Sequence, residues 1–303
     1  MKQDIVLVAG LPNDPCVASV VVALERQGIA YVLWNQRDLL NDCAYLLQHG
    51  NLDGVIMVGD NLIELNSITG VFNRVSELEL TPEYRSVDAK DPIARHAIAA
   101  NWILSQWFEL APVPVLNRGT TNESNSTKAF QTQLIRRYLP VPDTLVTNDV
   151  EQARAFWKEH GRVIYKSCSG ERSIVTELDE ETLATRASNL ALCPVLFQQY
   201  IEGTDIRVHV VGSEIFATAI VSKTTDYRYD SDTTWSAVDF SGKYASACIA
   251  LSQALGLELA GIDLRITPSG DIYCFEVNPS PAFSVYENAT GQPIANAIAK
   301  YLK

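Results

Sequence analysis

Two segments near the end of the chain decide its fold: Gly261-Ile262-Asp263-Leu264-Arg265 and Cys274-Phe275-Glu276-Val277-Asn278-Pro279-Ser280-Pro281. The turn-forming run Thr267-Pro268-Ser269-Gly270-Asp271 joins them, which predicts a hairpin of two neighbouring strands. Alternation along residues 275–278 places Glu276 and Asn278 on one face, with Phe275 and Val277 on the other. Asp263, Glu276 and Asn278 then form an oxygen-only ligand set. It suits a hard cation, Mg²⁺ first and Mn²⁺ as the alternative, that keeps several waters and takes phosphate oxygens as its remaining ligands. The bland alternative is a half-buried hairpin with its acids turned to solvent.

Upstream residues supply the rest of a nucleotide site in order. Arg162-Val163-Ile164-Tyr165-Lys166 is a β-branched and aromatic run ending in lysine, followed by the small, polar Ser167-Cys168-Ser169-Gly170-Glu171-Arg172-Ser173. An acidic helical segment around residues 178–190 precedes Val195-Leu196-Phe197-Gln198-Gln199-Tyr200-Ile201-Glu202-Gly203. Asp205-Ile206-Arg207, a strand pair over residues 208–211 and 215–221, and Asp226-Tyr227-Arg228 complete the series.

In this order the segments resemble the ATP-grasp superfamily, and within it the ligases that add glutamate to a ribosomal protein and the microviridin-type peptide ligases. The resemblance covers residues 118–303. It implies an α/β (α+β) chain: a small open parallel-sheet domain before the grasp (1–117), a central ATP-grasp lobe (118–195) and a C-terminal lobe carrying the metal site (196–303).

The resemblance also implies roles. Lys166 and Lys128 reach the phosphates of ATP, while main-chain groups of Gln198, Gln199, Tyr200 and Ile201 pair with adenine. Asp205 takes the ribose, Asn278 stands by nucleotide and metal, and Arg228 steadies the migrating phosphoryl group. Arg74, Arg207, Asp230 and Glu287 are candidates for the acceptor side. The activity implied is an ADP-forming carboxylate–amine ligation through an acyl phosphate, on an amino acid or peptide. A silent ATP-binding protein of the same fold and an ATP-dependent kinase are the other readings open to the sequence. Two departures from the family pattern stand out: only Gly170 remains in the phosphate loop, and Asp230 replaces an asparagine.

Composition bounds the remainder. The 303 residues carry a net charge of −12 and are 47% hydrophobic. That balance argues against a nucleic acid or an anionic membrane as partner, and no apolar run is long enough to span a bilayer. The six cysteines show no metal spacing, so reduced thiols in a cytoplasmic protein are expected. A homo-oligomer is compatible with all of this.

The first third reads as alternating strand and helix. Strands are expected at residues 5–9, 29–34, 54–59 and 70–74, with helices from residue 13 to 27 and over residues 37–48. No G-x-G-x-x-G follows the first strand, which argues against a dinucleotide site. A helix over residues 92–108 is expected to bury Trp102, Trp107 and Phe108, and residues 111–117 read as a linker.

Overall fold

The computed structural model describes residues 4–39, 54–76, 81, 83–84, 88, 90–121, 127–168, 175–222 and 232–303. The chain divides into two compact units: Met1–Thr121 with Gly256–Leu259 and Ala282–Lys303, and Asn122–Leu255 with Ala260–Pro281.

The first unit is built on a parallel sheet of β1 (Ile5–Gly10), β2 (Tyr31–Asn35), β5 (Ile68–Arg74) and β6 (Val115–Leu116), in the order β2-β1-β5-β6. The unbroken apolar run of β1 is buried almost throughout, as a central parallel strand requires. Helix α1 (Pro15–Arg26) starts where Asp14 accepts hydrogen bonds from the amides of Cys16 and Val17, with proline in the first turn. Helix α2 (Pro92–Leu110) buries Ala97, Ala100, Leu104, Trp107 and Phe108.

Three expectations for this unit change, and a fourth lies mostly outside the described residues. The strand at residues 54–59 exists as β3 (Val55–Val58), yet it pairs antiparallel with β4 (Asn61–Glu64), because the turn Gly59-Asp60 folds it back at once. Trp102 is 62% exposed: it lies two residues past Ala100, about 200° around the helix from the buried stripe. Residues 115–116 of the expected linker form an edge strand instead. Of the helix expected over residues 37–48 only the start is described, a 3-10 turn at Gln36–Asp38; residues 40–53 lie outside the described residues.

The tail, which reads along the sequence as part of the C-terminal lobe, packs on this first sheet. Helix α8 (Phe283–Thr290) sets the Phe283 ring edge-on against Phe72 at 6.3 Å, and α9 (Ile294–Leu302) buries Ile294, Ile298 and Leu302. Thr69 Oγ1 donates to the Leu302 carbonyl at 3.0 Å. A Cβ on Gly70 would stand 2.5 Å from that carbonyl oxygen, so only glycine allows the approach.

The second unit holds two sheets. One is antiparallel: β7 (Thr144–Thr147), β8 (Val163–Ser167), β9 (Thr176–Glu177) and β10 (Val195–Gln199), ordered β7-β10-β8-β9. Helices α4 (Val150–His160), α5 (Glu180–Thr185) and α6 (Ala187–Leu192) contribute to an apolar cluster with one face of it, through Ala153, Leu183, Leu190, Val163 and Phe197. The other sheet, ordered β13-β12-β11-β14-β15, comprises β11 (Thr204–Val211), β12 (Glu214–Val221), β13 (Thr234–Val238), β14 (Leu259–Ile266) and β15 (Ile272–Asn278). Helix α7 (Lys243–Ala254) contacts β11, and helix α3 (Lys128–Ile135) packs on β15.

Candidate functional site

The predicted hairpin forms, and its register sets the three expected ligands on one face. Asp263 on β14 stands opposite Glu276 on β15, and Gly261 opposite Asn278. Cross-strand partners share a face, and Asn278 lies two residues beyond Glu276, so two carboxylates and one amide project from one side. The register slips between Asp263 and Leu264, an irregularity of the kind that re-aims side chains beside active sites. Among the described residues no group of three or more His, Cys, Asp or Glu side chains is placed to hold a metal ion; the third member of the expected set is an asparagine.

Gln131 fixes this hairpin from α3. Its Nε2 donates to the Val277 carbonyl at 2.7 Å and its Oε1 accepts from the Val277 amide at 3.0 Å. The main chain between Glu276 and Asn278 is thereby clamped by a side chain that imitates a neighbouring strand. Lys128 sits one turn earlier on the same helix face and is 9% exposed. Sequence reasoning missed Gln131; its i, i+3 spacing from Lys128 was the available signal.

Two Asp-x-Arg triplets on the neighbouring strands β11 and β14 pair crosswise. Arg207 Nη1 donates to Asp263 Oδ1 at 2.5 Å, and Arg265 Nε donates to Asp205 Oδ1 at 2.7 Å. Arg207 is 5% exposed, and its guanidinium occupies the space above Gly261, where a Cβ would lie 2.6 Å from Nη2. The acceptor-side candidate Arg207 is therefore buried against the hairpin, holding Asp263. Arg265, which sequence reasoning also missed, bonds the Ile201 carbonyl at 2.8 Å and lies over the rings of Tyr200 and Phe275. It joins the expected ribose acid Asp205 to the hinge.

Alternation sorts the antiparallel sheet into two faces. Leu196 pairs with Lys166, and Gln198 with both Ile164 and Thr144, so Lys166, Gln198 and Thr144 share the face opposite the helix-packed cluster. The apolar cavity of about 240 Å³ lined by Tyr165, Leu183, Leu190, Val195 and Phe197 lies on the other face, away from these polar groups. Lys166 is 9% exposed at the loop end of the strands, and Gln198 is 2% exposed at the hinge end. Gln198 Oε1 is buried and accepts no hydrogen bond among the described residues.

At the hinge, the amides of Gln199 and Tyr200 already donate to the carbonyls of Asp143 and Arg162. The Tyr200 ring lies under the Arg162 guanidinium at 3.7 Å. Burial pushes the Cys168 thiol up, helped by Cys193 and opposed by the Lys128 charge, so Cys168 is poorly suited to act as a thiolate. Residues 169–174, Arg228 and Asp230 lie outside the described residues.

Arg74 and Glu287 belong to the first unit. Arg74, at the carboxyl end of β5, pairs with Asp14 at 3.0 Å, the same acid that caps α1. Glu287 Oε2 accepts from the Ala295 amide at 3.1 Å in the first turn of α9.

Residues 124–302 match the RimK-like ATP-grasp domain. A probable alpha-L-glutamate ligase of Chromohalobacter salexigens is 27% identical over 210 residues, spanning 65% of this chain and 69% of that protein. The ATP-grasp ligase PsnB, solved with a phosphomimetic variant of its minimal precursor, Mg and ADP, superposes with a TM-score of 0.78 at 25% identity, covering 100% of this chain and 98% of PsnB. The macrocyclase MdnC of Microcystis aeruginosa MRC, bound to its precursor peptide MdnA, shares the fold with a TM-score of 0.79 at 23% identity, over 98% and 99% of the two chains. The chain belongs to the RimK-like ATP-grasp family. It is an ATP-dependent, ADP-forming ligase of the class that makes C–N bonds.

Proposed function

We propose that this ligase activates a carboxylate of a peptide with ATP and joins it to an amine, the nucleotide lying on the second unit. The observation that carries the nucleotide assignment is the shared face of β8 and β10. It offers a buried cation at the loop end and an unsatisfied buried acceptor at the hinge end, in the order in which a nucleotide presents phosphate and base. An acceptor left unpaired in a buried position costs about 1–3 kcal/mol, a cost that a bound donor removes.

Asp263, Glu276 and Asn278 would hold Mg²⁺, with Mn²⁺ as a substitute, and that ion would neutralise phosphate charge. Lys128 and Lys166 add fixed positive charge for the phosphates, and Asp205, braced by Arg265, is the acid for the ribose. Arg228 is assigned to the migrating phosphoryl group from its sequence motif. Arg207 balances the facing carboxylates and keeps Asp263 in place. Free thiols, three of them buried, agree with a cytoplasmic setting, and no described helix is long and apolar enough to cross a membrane.

A peptide acceptor is favoured over a free amino acid by the extent of the likeness. PsnB, solved with a variant of its minimal precursor, aligns over the whole chain, first unit included, with a TM-score of 0.78, whereas D-cycloserine synthetase DcsG, aligned over 99% of it, reaches only 0.58. Arg74 and Asp230 remain the acceptor-side candidates. The test is mass spectrometry of products after incubation with ATP, Mg²⁺ and a panel of acidic peptides and amino acids. Loss of one water from a peptide, with ADP release, supports the reading; glutamate addition alone overturns the peptide assignment.

A further inference from the structure

We propose that the Thr144 hydroxyl sets the direction of the Gln198 carboxamide, so that the site takes 6-aminopurine nucleotides and rejects 6-oxopurine ones. The proposal rests on the nucleotide reading above and deepens it.

The argument follows one chain of hydrogen bonds. Thr144 Oγ1 lies 3.0 Å from the Pro142 carbonyl, and a carbonyl can only accept, so the hydroxyl proton is committed there. What remains on Oγ1 is lone pairs, and Gln198 Nε2 donates to them at 3.1 Å. Turning the carboxamide over would set Oε1 against those lone pairs, with no proton to share. The amide is therefore locked with its NH₂ toward β7 and its oxygen as the free group.

That oxygen is sealed from solvent and accepts nothing among the described residues. It shares a face with Lys166, while the amides of Gln199 and Tyr200 are already used within the fold. The group that satisfies such an oxygen is a donor. Adenine carries an amine at C6; hypoxanthine and guanine carry a carbonyl there, which would meet Oε1 acceptor to acceptor. A buried group left in that state discriminates strongly against the wrong ligand. Thr144 is thus a positioning residue: it touches no nucleotide, yet it fixes which end of Gln198 does.

The experiment compares calorimetric affinities for ATP and inosine triphosphate, both with Mg²⁺, in the native protein and in Thr144→Val and Thr144→Ser. The native protein should favour ATP by roughly 10- to 100-fold. In Thr144→Val the amide is unpinned and can offer its NH₂ to the 6-oxo group. Binding of inosine triphosphate should then tighten, and the ATP preference shrink by about 10-fold. Thr144→Ser keeps the hydroxyl and should keep the preference. Thr144→Ala serves as a second loss of the hydroxyl should valine disturb β7. A ratio unchanged in Thr144→Val and Thr144→Ala, or changed as much by serine, overturns the proposal while leaving the ligase reading intact. If the native protein binds neither nucleotide, the assignment of this face falls and the proposal falls with it.

Discussion

Arg207 on β11 holds Asp263 on β14 through a 2.5 Å contact, and its guanidinium fills the space that Gly261 leaves by having no side chain. The glycine of the Gly-Ile-Asp motif is thus explained by the arginine of another motif, with Pro281 as the second close neighbour. A positive charge behind two facing carboxylates relieves their repulsion.

Gly261→Ala should therefore cost stability and function together. The added methyl meets Arg207 and Pro281 at less than van der Waals distance and should destabilise by about 1–3 kcal/mol, the usual scale of overpacking. Thermal melting and ADP release measured on the same sample test this. A melting temperature equal to that of the native protein would mean that Arg207 is not where it has been placed.

Glu276→Gln keeps the shape of the hairpin and removes one charge from the oxygen trio. Turnover should fall by at least about 10²-fold, as on removal of a charge-stabilising group. The melting temperature without nucleotide should change little. Near-native ADP release at ordinary Mg²⁺ concentration would sink the metal assignment.

Lys166→Ala should weaken ATP by about 1.5–3 kcal/mol, the worth of a charge-assisted hydrogen bond. ATP raises the melting temperature of any protein that binds it in the folded state alone, so the ATP-induced shift should shrink in the variant. Equal shifts in both proteins would remove Lys166 from the nucleotide site.

Glu287 provides a test by pH. Burial raises its carboxyl above the ordinary 4.5, against the pull of the Ala295 amide and the Arg26 charge. The folded chain binds that proton more tightly than the unfolded one. Its stabilising effect is full below pH 4.5 and is lost as pH rises through the raised folded value. Glu287→Gln stays neutral and can still accept from Ala295. It should gain on the native protein as pH rises from about 4 to 8, with turnover unchanged. A difference in melting temperature that does not vary with pH would refute the linkage, and a loss of turnover would return Glu287 to the acceptor side.

Local patterns were legible in the sequence wherever one period of alternation decides the outcome. The Asp263–Glu276 hairpin, β8 carrying Lys166 and β10 running into Tyr200 all follow from residues within one or two strands. What escaped depends on partners far apart in sequence. Gln131 meets Val277 across 146 positions, and Arg265 meets Asp205 across 60. No periodicity announces either contact. The fate of β3 was hidden for another reason, since an apolar strand reads alike whether it joins a parallel sheet or its own hairpin. Trp102 shows that size and hydrophobicity alone do not place a side chain inside; its angle on α2 does.

The contact of Leu302 with Gly70 has a bearing on how the protein is made. A ribosome delivers β1 and β5 long before α8 and α9, so the first sheet leaves the exit tunnel without the helices that cover it. Phe72 then waits, with its aromatic partner Phe283 still unsynthesised. The second unit, contained in residues 122–281, receives its last strand, β15, just before Phe283 is made and needs nothing from the tail to be complete. Assembly of this ligase is thus out of step with the order of its codons: its earliest residues are among the last to be finished.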